Sequence, residues 1–167
     1  MNCDHRDFHA VTKKLRAFFE SKDFVEVHTQ NKLSILAACE DPTTMATYNY
    51  SGNVWPLPQT GQMWLEHVLL NNPDYEGVFC LSTSYRNEPN PVPGRHDLVF
   101  PMFEFESHGD MGDLMDLESG LLHHLGFGEG FPSVKYDEAS NKYGVSELDY
   151  NEEEALCRDY GTCTFLT

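Results

Sequence analysis

The sequence predicts an α+β chain, and three stretches carry that prediction. Residues 84–106, SYRNEPNPVPGRHDLVFPMFEFE, read as a strand, a proline-rich loop and a return strand. Phe8, Val11, Leu15, Phe18 and Phe19 recur at helical spacing and make one apolar face. Leu114, Leu117, Leu121 and Leu125 repeat that spacing between a capping Asp110 and a closing Gly126.

In chain order, Asp4 or Asp7 caps a first helix that runs to about Lys22. His5 and His9 lie one turn apart on it, and no third metal ligand follows nearby. Asp23 turns the chain into a strand, Phe24 to Thr29. Residues 31–47 have small side chains, an Asp-Pro turn and little periodicity, as a loop over a pocket would. Tyr48 to Leu57 alternates around Ser51-Gly52-Asn53 and predicts a hairpin. A helix follows from Thr60, with Met63, Trp64, Val68 and Leu69 facing inward. Gly77 to Arg86 is a strand with apolar Val78, Phe79 and Leu81. Ser133 opens a short helix that stops at Gly144, and Asn151 caps another that stops at Gly161. Cys163 to Thr167 begins like a strand.

The chain has 167 residues, enough for one domain with a core. It contains no apolar run of about eighteen residues, and its charged start is not a signal-peptide core. Five scattered cysteines, none in a CxxC pair, favour reduced thiols in a cytoplasm over a disulfide framework or a zinc site. A formal net charge of −16 with no basic stripe disfavours a broad nucleic-acid surface.

The chemistry concentrates in residues 84–106. Arg86 and Glu88 are predicted to share one face of the first strand. Arg95 and His96 close the loop, and Phe100, Glu104 and Glu106 alternate down the return strand. Cations at the mouth, a ring behind them and carboxylates further in suit a nucleotide. A salt-bridged surface hairpin would carry similar charges.

This stretch resembles motif 2 of the class II aminoacyl-tRNA synthetases, most closely the aspartate/asparagine/lysine subgroup. The matching residues are Tyr85-Arg86-Asn87-Glu88, the loop Pro89 to Gly94, Arg95-His96, Phe100, Glu104 and Glu106. FFESKDFVEVHTQ is similar to motif 1, with Gln30 where the family usually has proline. Glu40 matches a substrate-loop glutamate, although Asp41-Pro42 replace the family's following glycines. Gln62 matches the second glutamine of a Gln-Ser-Pro-Gln turn, and Leu65 stands where the family often has a lysine. The resemblance covers nearly the whole chain, but motif 3 and an anticodon-binding domain are missing from it.

The resemblance implies an antiparallel sheet flanked by helices, with residues 1–167 a single catalytic core cut short at its C-terminal end. It implies ATP-dependent formation of an aminoacyl-adenylate, with Mg2+, by a cytoplasmic homodimer that engages an amino acid, ATP and, less readily for so acidic a chain, tRNA. Arg86 would be the catalytic clamp on the α-phosphate, Glu88 would meet the adenine edge and Phe100 would stack on the ring. Arg95 and His96 would hold the pyrophosphate end. Glu40, Gln62 and Glu104 would face the amino acid, and Glu106 would help hold the metal. With Leu65 in place of a cation, a buried aspartate side chain would lack a partner, so aspartate is not the expected substrate. An asparagine-synthetase-type ammonia ligase and a non-catalytic paralogue remain as alternatives. A core without motif 3 is expected to bind ATP weakly and to turn over poorly.

Overall fold

A computed structural model of the protein describes residues 4–29 and 41–167. Glu40 therefore lies outside the described residues. The chain divides into two compact units, Met1–His108 and Gly109–Thr167.

The first unit opens with α1, His5–Glu20. The Asp4 carboxylate accepts the N–H groups of Arg6 and Asp7, two of the donors a helix start leaves unpaired. The chain reverses at Asp23, whose φ of 60° an aspartate tolerates better than most residues. It then enters β1, which is only Val25–Glu26 rather than Phe24 to Thr29. The strand is short because its ladder with β4, Gly77–Tyr85, pairs just Val25 with Val78 and Glu26 with Phe79. β4 runs antiparallel to β5, Val99–Ser107, in unbroken register from Gly77↔Ser107 to Tyr85↔Val99. The sheet order is β1-β4-β5.

Strand alternation sends Phe79, Phe103 and Phe105 to one face of this sheet. Phe19 of α1 meets them with ring centroids 5.7, 5.4 and 4.8 Å away, and it is completely buried. Val78 and Cys80 point to the other face, where Leu65 and Leu69 of α2, Gln62–Asn71, cover them. Burial of one such side chain is worth about 1.5–3 kcal/mol. The inward positions of α2 are thus Leu65 and Leu69, whereas Met63, Trp64 and Val68 are half-buried. Leu65 belongs to the core, where it supplies no cation. A separate hairpin, β2 (Thr47–Tyr50) and β3 (Asn53–Pro56), turns at Ser51 and Gly52, both in the left-handed region.

The second unit contains α3, Met111–Leu125, with a reciprocal capping box between Asp110 and Asp113 and a left-handed Gly126 at its end. Ser133 does not open a helix. Ser133–Val134 form β6, which pairs in parallel with β7, Phe165–Leu166. The strand expected at the chain's end therefore has a partner. α4 spans Tyr136–Tyr143 and α5 spans Tyr150–Tyr160. α5 is capped by Asp149, not Asn151, because Asp149 and Glu152 form the reciprocal box. Val134, Ala139 and Leu156 are the buried centre of this unit.

Candidate functional site

β4 ends at Tyr85, so Arg86 and Glu88 do not share a strand face as expected. The ladder continues for one bond, from the Arg86 N–H to the Leu98 carbonyl at 2.8 Å, and then opens. This fixes the Arg86 backbone in line with Ser84 while Glu88 leaves with the loop. The Arg86 Nε is buried with no hydrogen-bond partner among the described residues, and so is the Ser84 hydroxyl two residues earlier. Phe100 is directly opposite Ser84 in the ladder. Arg95 and His96 sit on an exposed turn whose N–H groups both donate to the Val92 carbonyl. The Val92 N–H donates in turn to His96 Nδ1 at 3.3 Å.

Further along the same face, Glu104 is engaged from several directions. Its carboxylate accepts the Thr60 and Ser82 hydroxyls and, at 2.9 Å on both oxygens, the Gly61 N–H. This joins β5 to the start of α2. A Cβ at Gly61 would lie 3.0 Å from both Cys80 Sγ and Glu104 Oε2, so the close approach depends on glycine. Burial, followed by the charge of Glu104, pushes the Cys80 thiol up to about 12, which keeps it protonated and unreactive. Gln62 and Glu106 line a cleft of about 260 Å³ with Thr60, Phe103, Glu104 and Phe105. Gln62 Nε2 donates to Glu66 at 2.8 Å. Burial raises the Glu106 carboxyl, and the charges of Glu66 and Glu104 add to the rise. A larger cleft of about 620 Å³ runs along Glu26–Thr29 and Leu81–Thr83 and holds none of the candidate site residues.

Residues 5–162 match the family described as tRNA synthetases class II (D, K and N). The chain belongs to that family. It is 26% identical over 171 aligned positions to a lysine–tRNA ligase of Dichelobacter nodosus, covering 99% of this chain and 32% of the relative. It is 23% identical to an aspartate–tRNA(Asp/Asn) ligase of Treponema denticola, covering 85% of this chain and 25% of the relative. The chain thus spans a third or less of these relatives' length. Its fold is similar to that of asparaginyl-tRNA synthetase from Pyrococcus horikoshii complexed with asparaginyl-adenylate. That likeness has a TM-score of 0.77 at 22% identity and covers 91% of this chain and 41% of the other.

Within this class II synthetase chain, sequence reasoning missed two residues, Asp41 and Gln59. Pro42–Thr44 form a short 3-10 turn capped by the Asp41 carboxylate, which accepts the Thr43 N–H and hydroxyl. Gln59 is buried and grips the turn. Its Oε1 accepts the Asp41 N–H at 3.1 Å, and its Nε2 donates to the Asp41 carbonyl and the Thr44 hydroxyl. The Thr44 carbonyl accepts the Asn87 N–H at 2.7 Å, so the turn is docked on the residue next to Arg86. Thr43 holds the Asp41 carboxyl below its ordinary range, and the Arg86 guanidinium adds to that depression. The local signal for the turn was Asp-Pro-Thr-Thr, with aspartate at the cap and proline in the first turn. Among the described residues, no group of three His, Cys, Asp or Glu side chains is disposed to hold a metal. No described helix is long and apolar enough to cross a membrane.

Proposed function

We propose that this chain activates an amino acid of the aspartate, asparagine or lysine kind with ATP, and that residues 1–167 act as one class II catalytic core. The carrying observation is the buried, unpartnered Nε of Arg86. An unsatisfied buried donor costs about 1–3 kcal/mol, and a phosphate or carboxylate oxygen would satisfy and neutralise it. The lysine and aspartate ligases to which the chain is similar support the reaction class. The adenylate named in the Pyrococcus complex supports the product.

In this reaction a carboxylate oxygen of the amino acid attacks the α-phosphorus of ATP. The new P–O bond forms as the bond to the bridging oxygen breaks, and the electron pair leaves with pyrophosphate. Arg86 draws the two anionic reactants together and offsets their charge, which is where positioning and electrostatics lower such a barrier. Glu88 takes the adenine edge and Phe100 its face, while Arg95 and His96 meet the pyrophosphate end. Gln62 faces the amino acid. Glu104 serves the same side by holding the Thr60-Gly61-Gln62 corner in place. Glu40 is assigned to the ammonium group from the family pattern alone.

Magnesium, when bound, neutralises phosphate charge. It is usually held by one or two carboxylates and the substrate's own phosphates, and Glu106 on the cleft supplies such a carboxylate. Assembly as a homodimer, work in the cytoplasm and transfer to tRNA complete the proposal. Pyrophosphate exchange with lysine, asparagine and aspartate, each with and without tRNA, tests it. Exchange with at least one is expected, at a rate well below that of a complete synthetase. Absence of exchange with all three, together with unchanged ATP affinity in Arg86→Ala, would remove the reading. Light scattering should give a particle of twice the 19.1 kDa chain mass.

A further inference from the structure

The Arg86 backbone is pinned on both sides just where β4 ends. The Tyr85 N–H donates to the Pro58 carbonyl at 3.0 Å, the Arg86 N–H to the Leu98 carbonyl at 2.8 Å and the Asn87 N–H to the Thr44 carbonyl at 2.7 Å. Three consecutive amides thus meet three segments that are remote in sequence. Gln59 is tied to two of these anchors. Its backbone follows Pro58 directly, and its side chain holds the 41–44 turn that presents the Thr44 carbonyl. Gln59 Oε1 accepts the Asp41 N–H at 3.1 Å, while Nε2 donates to the Asp41 carbonyl at 2.9 Å and to the Thr44 hydroxyl at 3.1 Å. A primary amide supplies that acceptor and both donors at once, which an ionised carboxylate or an alkyl chain cannot. Gln59 is almost completely buried, so water does not compete for these bonds. The Arg86 Nε has no partner among the described residues, so no hydrogen bond there aims the guanidinium, and the pinned backbone at 85–87 sets where the side chain starts.

We propose that Gln59 is a positioning residue for Arg86: by holding the 41–44 turn against Asn87, it fixes the backbone that aims the guanidinium at the phosphate of the nucleotide. Gln59 touches neither reactant in this role. Its amide converts a distant turn into a stop for the end of β4, so that the clamp is in place before the nucleotide arrives. The inference rests on the reading of Arg86 as the phosphate clamp.

The test separates aim from stability by using two probes, ATP and adenosine, which has no phosphate for Arg86 to hold. Affinities are measured by calorimetry, well below each melting temperature, for the unaltered chain, Gln59→Leu, Thr44→Val, Arg86→Ala and the Thr44→Val/Arg86→Ala double variant. Gln59→Leu removes the whole grip. Thr44→Val removes only the hydroxyl that Gln59 Nε2 meets, at nearly constant shape, and carries the test if Gln59→Leu does not fold. The folded variants should lose about five- to tenfold in ATP affinity, as a clamp displaced by a fraction of an ångström would, and should keep their affinity for adenosine. The loss caused by Thr44→Val should vanish in the double variant, where there is no guanidinium left to aim. If the folded variants bind ATP as the unaltered chain does while Arg86→Ala loses affinity, Gln59 only stabilises the fold, although the clamp stands. An equal loss for adenosine, or the same loss of ATP affinity without Arg86, would also overturn the assignment. If Arg86→Ala binds ATP as well as the unaltered chain, the clamp itself falls. If no form binds ATP at millimolar concentration, both ideas are overturned.

Discussion

Arg86→Ala should weaken ATP binding by at least about tenfold, because a hydrogen bond to a charged group is worth roughly 1.5–3 kcal/mol. The melting temperature should not fall, since the variant also removes the cost of a buried Nε that has no partner among the described residues. Calorimetry and a thermal melt on the same samples check both halves. Glu106 gives a second test at this scale, through pH. Burial and two neighbouring carboxylates raise its pKa above the ordinary value of 4.5, so the fold favours the protonated form. The associated stability is complete below that ordinary value and is lost as pH rises through the raised one. Glu106→Gln stays neutral throughout. Its melting temperature should therefore gain on the unaltered chain between about pH 4 and pH 7. An equal difference at both ends would contradict the shift. Arg86, Phe100, Glu104 and Glu106 could be proposed from the sequence because their spacing around the hairpin is a local pattern, and Gln62 from its place in a turn that resembles Gln-Ser-Pro-Gln. The engagement of Glu104 with Gly61, 43 positions away, could not be read there.

Among the elements, β4 owes its position to a missing side chain. A Cβ on Gly77 would fall 2.3 Å from the Phe24 ring, which packs on Phe19 in the aromatic cluster. Gly77→Ala should cost about 1–3 kcal/mol through overpacking. Urea denaturation would measure it, and a loss under a few tenths of a kcal/mol would mean that the ring moves aside freely. The start at Asp110 and the stop at Gly126 could be read directly, and the first start narrowed to Asp4 or Asp7, because caps act within one turn of backbone. β6 could not. Ser133–Val134 are a strand only because Phe165–Leu166 lie beside them, and two residues carry no periodicity of their own. β1 was overdrawn for the converse reason. Its alternating residues continue to Thr29, but β4 pairs with only two of them.

For the whole molecule, every described residue assigned to the site falls within Met1–His108. Addition of ATP should therefore slow amide hydrogen exchange in residues 41–106 and leave α4 and α5 unchanged. Exchange followed by mass spectrometry would show this, and equal protection in Tyr136–Tyr160 would place part of the binding energy in the second unit. The charge of −16 acts at this scale as well. It limits non-specific attachment of this chain to nucleic acid.

The sequence by itself determined the family, the order of its motifs, the caps of α3 and the pairing of the long hairpin. These depend on spacing, turn chemistry and side-chain alternation, which act between near neighbours. The tertiary structure alone decided that Leu65 is core, that Glu104 holds the start of α2, and that the turn at residues 41–44 docks on Asn87. In each case the partner is distant along the chain and is delivered by sheet register and by Gln59 gripping a remote turn. A residue's type states what it can bond to, but only packing decides which of its possible partners arrives.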